Sequence, residues 1–411
     1  MTPSTEFQRT RAEALSQWRA FLPRVADYAR ERNVVTTDNH GVSKLSPALR
    51  FGLLLREEIA RDTLAHHSFE VAEKWLQEVY WRAYWKGWLE QRPQVWTSWR
   101  RRVAELHDSL PNQVLDRVEA VAAGRSGVAI MDYFADQLRN TGYLHNHARM
   151  WWASFWVHVE RLPWELGAEL FFQHLLDADP ASNTLSWRWV AGLQTKGKAY
   201  LVRRSNLERW CRNDLLSDHQ EGIGRIGDAR VVIHIPDETP SETRQELPDL
   251  LTFVVQPHGR VGLWVHPDDA CPEMGPLSEL AVVATTAITS NAVYQQYGLS
   301  ASRKAHLTAV LKDACKRCEV HFRCRVDLSE APTTAEGLLT WASANELDHV
   351  VAMTPLVGPI ADALPEIRSE LQNKGVMLHL VRRLEDAQDF PLAKSGFFGF
   401  WKRIREARFG C

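Results

Sequence analysis

The spacing of apolar residues changes once along this chain, and that change limits what it can fold into. Before about residue 210 the apolar side chains recur three and four apart, over Phe7 to Arg32, Pro47 to Ala65, Phe69 to Gln91 and Gln113 to Ala122, which predicts helices. Ser46 ahead of Pro47 predicts a capped helix start. Farther on, short β-branched runs take over: Val231 to Ile235, Leu251 to Val255, Val261 to Val265, Leu280 to Thr285, Val320 to Val326, His349 to Met353 and Val376 to Val381. Helical patterns separate the later ones, at Ala301 to Lys316, Ala335 to Asn345 and Ile360 to Asn373. Such alternation predicts a parallel, doubly wound sheet with helices on both faces, a form that often takes a nucleotide-like ligand at its carboxyl edge. No Gly-x-Gly-x-x-Gly follows any of these runs, so a dinucleotide site there has little support. The expected division is an all-α domain over 1–215 and an α/β domain over 229–411. The polar, glycine-bearing stretch 211–228 is expected to link them. Tryptophan marks the same division, with 14 of 17 lying before residue 211.

Bulk properties exclude several classes. A formal net charge of -2 argues against general attraction to polyanions. No apolar run approaches the roughly 18 residues of a membrane span, and the polar start, Met1 to Arg11, predicts no secretory leader. Six cysteines in 411 residues make no disulfide scaffold, so a reducing cytoplasm is expected. Cys315, Cys318, His321 and Cys324 are ligand types, but the first two fall at a helix end and the others on opposite sides of an expected strand. They are read as ordinary side chains, with no metal.

The most informative stretch runs from Gly142 to Trp189. A buried helix is predicted through Met150, Phe155, Val157 and Val159, and His145, Asn146, Arg149, Asp177, Asp179 and Asn183 are set in it and in the turns that follow. Polar groups among so many aromatics need partners, because an unpaired buried charge or amide is costly. A large polar and aromatic ligand would supply them.

Several motifs across residues 1–210 together resemble the FAD-binding domain of the DNA photolyase and cryptochrome family, in that family's order and spacing. They are Ser43-Lys44-Leu45-Ser46-Pro47, Glu78-Val79-Tyr80-Trp81-Arg82, His145-Asn146-His147-Ala148-Arg149-Met150, and Asp177-Ala178-Asp179 followed by Asn183. The resemblance implies that Ser43, Leu45, Ser46 and Tyr28 hold flavin phosphates, with Val42 where family members carry threonine. It implies that Arg82, Arg149, Asp177, Asp179 and Asn183 surround the flavin, with Asn183 opposite N5. Glu78, Trp81, Asn146, Met150 and Trp189 would face a damaged pyrimidine pair. Trp187 and Trp164 match the first two members of an electron-transfer chain, whose third member would fall near Val121. The α/β half resembles the family's antenna domain, which there comes first, so the order here is swapped; the stretch Phe390 to Phe409 resembles that domain's end.

The function implied is light-dependent repair of cyclobutane pyrimidine dimers in DNA by electron transfer from excited reduced FAD, in a monomer. Asn146, Met150 and Asn183 match the dimer-repairing members. A second, antenna chromophore of unspecified identity is compatible with the resemblance. Arg92, Arg100, Arg101, Arg102, Arg149, Lys196, Lys198, Arg203 and Arg204 are candidates for phosphate contacts. Other readings stay open. Each motif alone fits a capped helix, a surface ion pair beside a core tryptophan, or a core histidine and methionine. The whole also fits a cryptochrome-like photoreceptor, or a protein using FAD for dark redox chemistry.

Overall fold

Between residues 11 and 210 every regular element among the described residues is helical. In the computed structural model, which describes residues 7–195, 198–212, 214–232, 243–248 and 251–410, these are α1 (Arg11–Phe21), α2 (Val25–Glu31), α3 (Ser46–Arg50), α4 (Arg56–His66), α5 (Phe69–Glu90) and α6 (Gln94–Ser109). There follow α7 (Asn112–Ala122), α8 (Ala129–Thr141), α9 (Asn146–Ser154), α10 (Trp164–His174), α11 (Pro180–Val190) and α12 (Arg204–Trp210). A π-helical turn, Phe155–Val159, prolongs α9. The 22-residue α5 is the central pillar, with Trp75, Leu76, Val79, Tyr80, Ala83 and Trp88 all buried along it. The 211–228 stretch packs on this half: Leu215, Ile223 and Ile226 are buried, and Arg225 pairs with Glu160 at 2.6 Å.

The second half holds β1 (Val261–Val265), β2 (Ala284–Ser290), α13 (Asn291–Gln296), α14 (Ala301–Phe322), β3 (Arg325–Ala331), α15 (Thr334–Ala344), β4 (His349–Met353), α16 (Pro359–Asn373), β5 (Met377–Val381), α17 (Leu384–Asp389) and α18 (Phe397–Ile404). Among the described residues the strands form one sheet in the order β3-β2-β1-β4-β5, every pair parallel. Trp264, Ile288, Val350 and Leu380 on one face pack with Leu338 and Trp341 of α15 and Ile367 of α16. Val261, Leu263, Val265 and Val351 on the other join α14 and the helical half in one continuous core.

Four expected strands differ. Leu251 to Val255 forms no strand: Leu251 alone bridges to Val381, while Phe253 and Val255 lie exposed and Pro257 follows. Val231 and Val232 are in no strand, and 233–235 fall outside the described residues. The strand expected at Leu280 to Thr285 lies instead at the threonine-rich β2, where Thr286 and Thr289 donate to the carbonyls of Asp327 and Ser329, each at 3.2 Å, and so satisfy their buried hydroxyls. The run from Val320 splits. Helix α14 continues through Phe322 with Val320 outward, the chain turns at Arg323 (φ 52°), and β3 starts at Arg325.

The two halves are pinned by charge. Arg50 pairs with Asp268 at 2.9 Å, both side chains buried, Arg382 with Glu90 at 2.7 Å, and Arg56 with Asp386 and Asp389. These contacts cover the carboxyl ends of β1 and β4, where strand order reverses and ligands ordinarily bind. Only about 10 Å³ remains beside Arg50, Glu90, Asp268 and Leu356, room for one water at most. The helical half itself fills that edge.

Candidate functional site

Six helices of the helical half and segments that lead into them enclose a cavity of about 480 Å³, within the range of sites for small molecules and cofactors. Helix α5 contributes Trp75, Glu78, Trp81, Arg82 and Trp85, positions three and four apart that share one helix face. Tyr28 comes from α2, Ser43 and Leu45 from the loop into α3, Ser46 from the start of α3, Asn146, Arg149 and Met150 from α9, Phe171 from α10, and Asn183, Trp187 and Trp189 from α11. Asp177 and Asp179 line it from the turn before α11. Of the site residues picked from sequence, only Trp164 stays out of the wall, buried at the start of α10.

Each polar group is held by a local rule. Asp179 caps α11, its Oδ1 accepting the Ser182 N–H at 2.9 Å with Pro180 in the first turn. Its Oδ2 is 3.8 Å from Arg82 Nη2. Asp177 lies between both Nη atoms of Arg149, each 3.0 Å away, while Arg149 Nε donates to the Leu144 carbonyl. Burial alone would push both carboxyls up. Arg149 and Arg82 beside Asp177, and Arg82, Lys86 and Arg50 around Asp179, outweigh it and hold both below the usual carboxylate range. Asn183 Nδ2 donates to the Ala168 carbonyl at 2.8 Å, which fixes the amide on the cavity wall. Asn146 Nδ2 approaches Met150 Sδ at 3.8 Å, one turn along α9. His145 caps α9, its Nδ1 accepting the His147 N–H, and burial pushes it down to about 3, so it is neutral at pH 7.

Two details depart from expectation. Ser46 is the first residue of α3 rather than its cap, and no side chain caps that helix. Lys44 adopts φ 55° and Leu45 N–H turns back onto Ser43 Oγ at 3.3 Å, so Leu45 takes the cap position. Most of the basic residues picked as phosphate contacts are engaged within the protein. Arg92 lies over the Trp88 ring and donates to the Lys394 carbonyl, and Arg100 lies over Tyr297. Arg101 and Arg102 pair with Glu105, Arg204 with Glu208 and Arg149 with Asp177. Lys198 and Arg203 are exposed, and Lys196 falls outside the described residues.

Arg32 was missed from sequence. It caps the C-terminal end of α2 and forms an ion pair with Glu78; its position four residues after Tyr28 was the available signal. Burial pushes Glu78 up from its ordinary value, with Arg32 opposing. Trp187 meets Phe171 edge-on at 5.0 Å and Trp152 at 6.2 Å, and Trp152 lies 5.2 Å from Trp156. Val121, near the expected third relay position, is a buried aliphatic residue on α7. In the second half, Cys315 and Cys318 are buried on α14, Cys324 Sγ meets Thr285 Oγ1 at 3.2 Å, and His321 Nε2 meets the Ser278 carbonyl.

A ligand for the cavity must satisfy what the protein leaves open. Arg82 Nε, Asp179 Oδ2 and Ser182 Oγ are buried with no hydrogen-bond partner among the described residues. Donors and acceptors interleaved with tryptophan faces suit FAD, a flat heteroaromatic joined to a charged diphosphate. Residues 75–213 match the model of the FAD binding domain of DNA photolyase. The chain is 30% identical over 208 residues to the deoxyribodipyrimidine photo-lyase of Vibrio cholerae, a match covering 48% of this chain and 42% of that one. It is 34% identical over 195 residues to a deoxyribodipyrimidine photo-lyase of Thermus thermophilus, covering 46% and 44%. These matches span less than half of those relatives' length. Among solved structures, a Synechocystis cryptochrome aligns with a TM-score of 0.43 at 24% identity, over 51% of this chain and 44% of that one. Over residues 75–213 the helical half thus carries the match to the FAD binding domain of DNA photolyase, and over about half of its length the chain is similar to deoxyribodipyrimidine photo-lyases.

Proposed function

We propose that this protein is a deoxyribodipyrimidine photo-lyase that repairs cyclobutane pyrimidine dimers in DNA. The observation that carries the reading is one cavity with two kinds of wall. Asp177, Asp179, Arg82, Arg149 and Asn183 suit a flavin, and Glu78, Trp81, Asn146, Met150 and Trp189 suit a flipped dimer beside it. FAD held by Asp177, Asp179, Arg82, Arg149 and Asn183 would, when reduced and illuminated, supply electron donation to the dimer and take the electron back after the two cyclobutane bonds split, so that the cycle would be redox-neutral. The chain's own residues do the rest. Trp81 and Trp189 offer faces for the pyrimidines, the Asn146 amide offers hydrogen bonds, and Glu78 with a raised pKa donates one to the charged dimer. Flipping a damaged pair out of the duplex costs a few kcal/mol, less than for an intact one, which favours lesions. The α/β half is the antenna-type domain in swapped order, and the protein works as a cytoplasmic monomer.

A photoreceptor without repair is the second reading, favoured by the engagement of Glu78 with Arg32. Illumination separates the two: FAD-loaded, fully reduced protein is exposed to light with dimer-containing oligonucleotides and restored pyrimidines are counted. No loss of dimers sinks the repair reading. Glu78→Ala is expected to lower the repair yield while the bound flavin spectrum stays unchanged.

A further inference from the structure

The chain's last aromatic cluster reaches the cavity from outside. Phe397 lies flat on Trp81, with ring centroids 3.7 Å apart and planes 8° apart, and Trp81 lines the cavity. The next residue, Phe398, stands edge-on to Phe397 at 5.7 Å with 72% of its surface exposed. Three rings in succession therefore connect the cavity wall to solvent. Lys394, Lys402 and Arg403 are exposed near Phe398 in the chain, Lys402 one turn along the same helix, and no acidic residue occurs between Asp389 and Glu406. On the outer side of α18 the other exposed residues are Gly399, Lys402 and Arg403, so no apolar stripe is offered to a partner helix. A lone flat ring among cations has the chemistry of a site for a nucleic-acid strand: every base has a face that can stack, and phosphates meet the cations.

We propose that Phe398 is a stacking platform for a base of the lesion-bearing DNA strand just outside the cavity mouth, with Lys394, Lys402 and Arg403 on the flanking phosphates. The proposal rests on the repair reading. It accounts for an exposed phenyl ring beside the site and for the exposed Lys394 and Lys402 near it in the chain; Arg403, also exposed, additionally donates to the Leu392 and Gly399 carbonyls at 3.5 Å.

The test uses the full chain loaded with FAD and a single-stranded oligonucleotide carrying one dimer with 2-aminopurine beside it. Wild type is expected to bind and to quench the 2-aminopurine. Phe398→Ala is expected to weaken binding by about 5- to 150-fold, the range for losing one base–aromatic stack, and to abolish the quenching. Phe398→Trp is expected to restore both. Lys402→Gln with Arg403→Gln is expected to flatten the salt dependence of binding. If wild type repairs the dimer but Phe398→Ala binds and quenches as wild type does, the platform is overturned and the repair reading stands. If wild type neither binds nor repairs, the repair reading falls and the platform with it.

Discussion

Glu78 sits between two opposing influences, and their balance decides what it can do. Burial favours its neutral form, while the Arg32 guanidinium favours the anion. Only the neutral carboxyl can donate a hydrogen bond. Arg32→Met removes the opposing cation, so the Glu78 pKa should rise further and the neutral form persist to higher pH. Carboxyl-labelled glutamate followed by ¹³C NMR gives the answer without any repair assay; an unmoved titration would mean that Arg32 does not control this group. At this scale the sequence was informative where residues three and four apart share a helix face, as Glu78, Trp81 and Arg82 do. It was silent where partners lie far apart in the chain. The flat contact of Phe397 on Trp81 spans more than three hundred positions, and no local period encodes it.

Helices α10 and α11 meet through an absent side chain. A Cβ on Gly167 would lie 2.3 Å from Trp187 Cη2, closer than any real contact. Helix propensity alone says that Gly167→Ala should stabilise an α-helix by about 1 kcal/mol. The contact says the opposite, because the indole must move in a filled core, which costs about 1–3 kcal/mol. We expect net destabilisation in urea together with a changed flavin spectrum, since Trp187 also lines the cavity; a stabilised variant would overturn this account of the packing. The long amphipathic helices were legible from their spacing, and β1 and β4 match their expected bounds because continuous buried apolar runs mark them. Strand β2 was misplaced because threonine hydroxyls make a buried strand look polar until their neighbouring carbonyls are known.

Across the whole molecule, buried neutral histidines make stability depend on pH. Burial holds His145, in the helical half, at about 3 and His306, in the α/β half against Phe51, at about 4. Both folded values lie below the unfolded value of about 6.5, so the unfolded chain binds more protons in acid. The stabilisation is present above pH 6.5 and is lost as pH falls toward 4 and then 3. At pH 5 the two together should cost roughly 4 kcal/mol relative to pH 7, read as a lower urea midpoint. His306→Gln should remove about half of that dependence; an equal midpoint at both pH values would contradict it. How the halves join was the least legible feature, because it rests on pairs such as Arg50–Asp268 and on a close backbone approach. A Cβ on Gly87 would lie 2.7 Å from Phe390 Cα, and the Gln91 side chain donates to the carbonyls of Gly87, Phe390 and Ala393. The tail thus locks onto α5 some 300 residues after that helix is made. On a ribosome adding roughly 5–20 residues per second, α5 emerges about 15–60 s before its partner. For that interval the nascent helical half has no Phe397 against Trp81, and a flavin arriving early meets a chamber whose Trp81 has yet to be backed from outside.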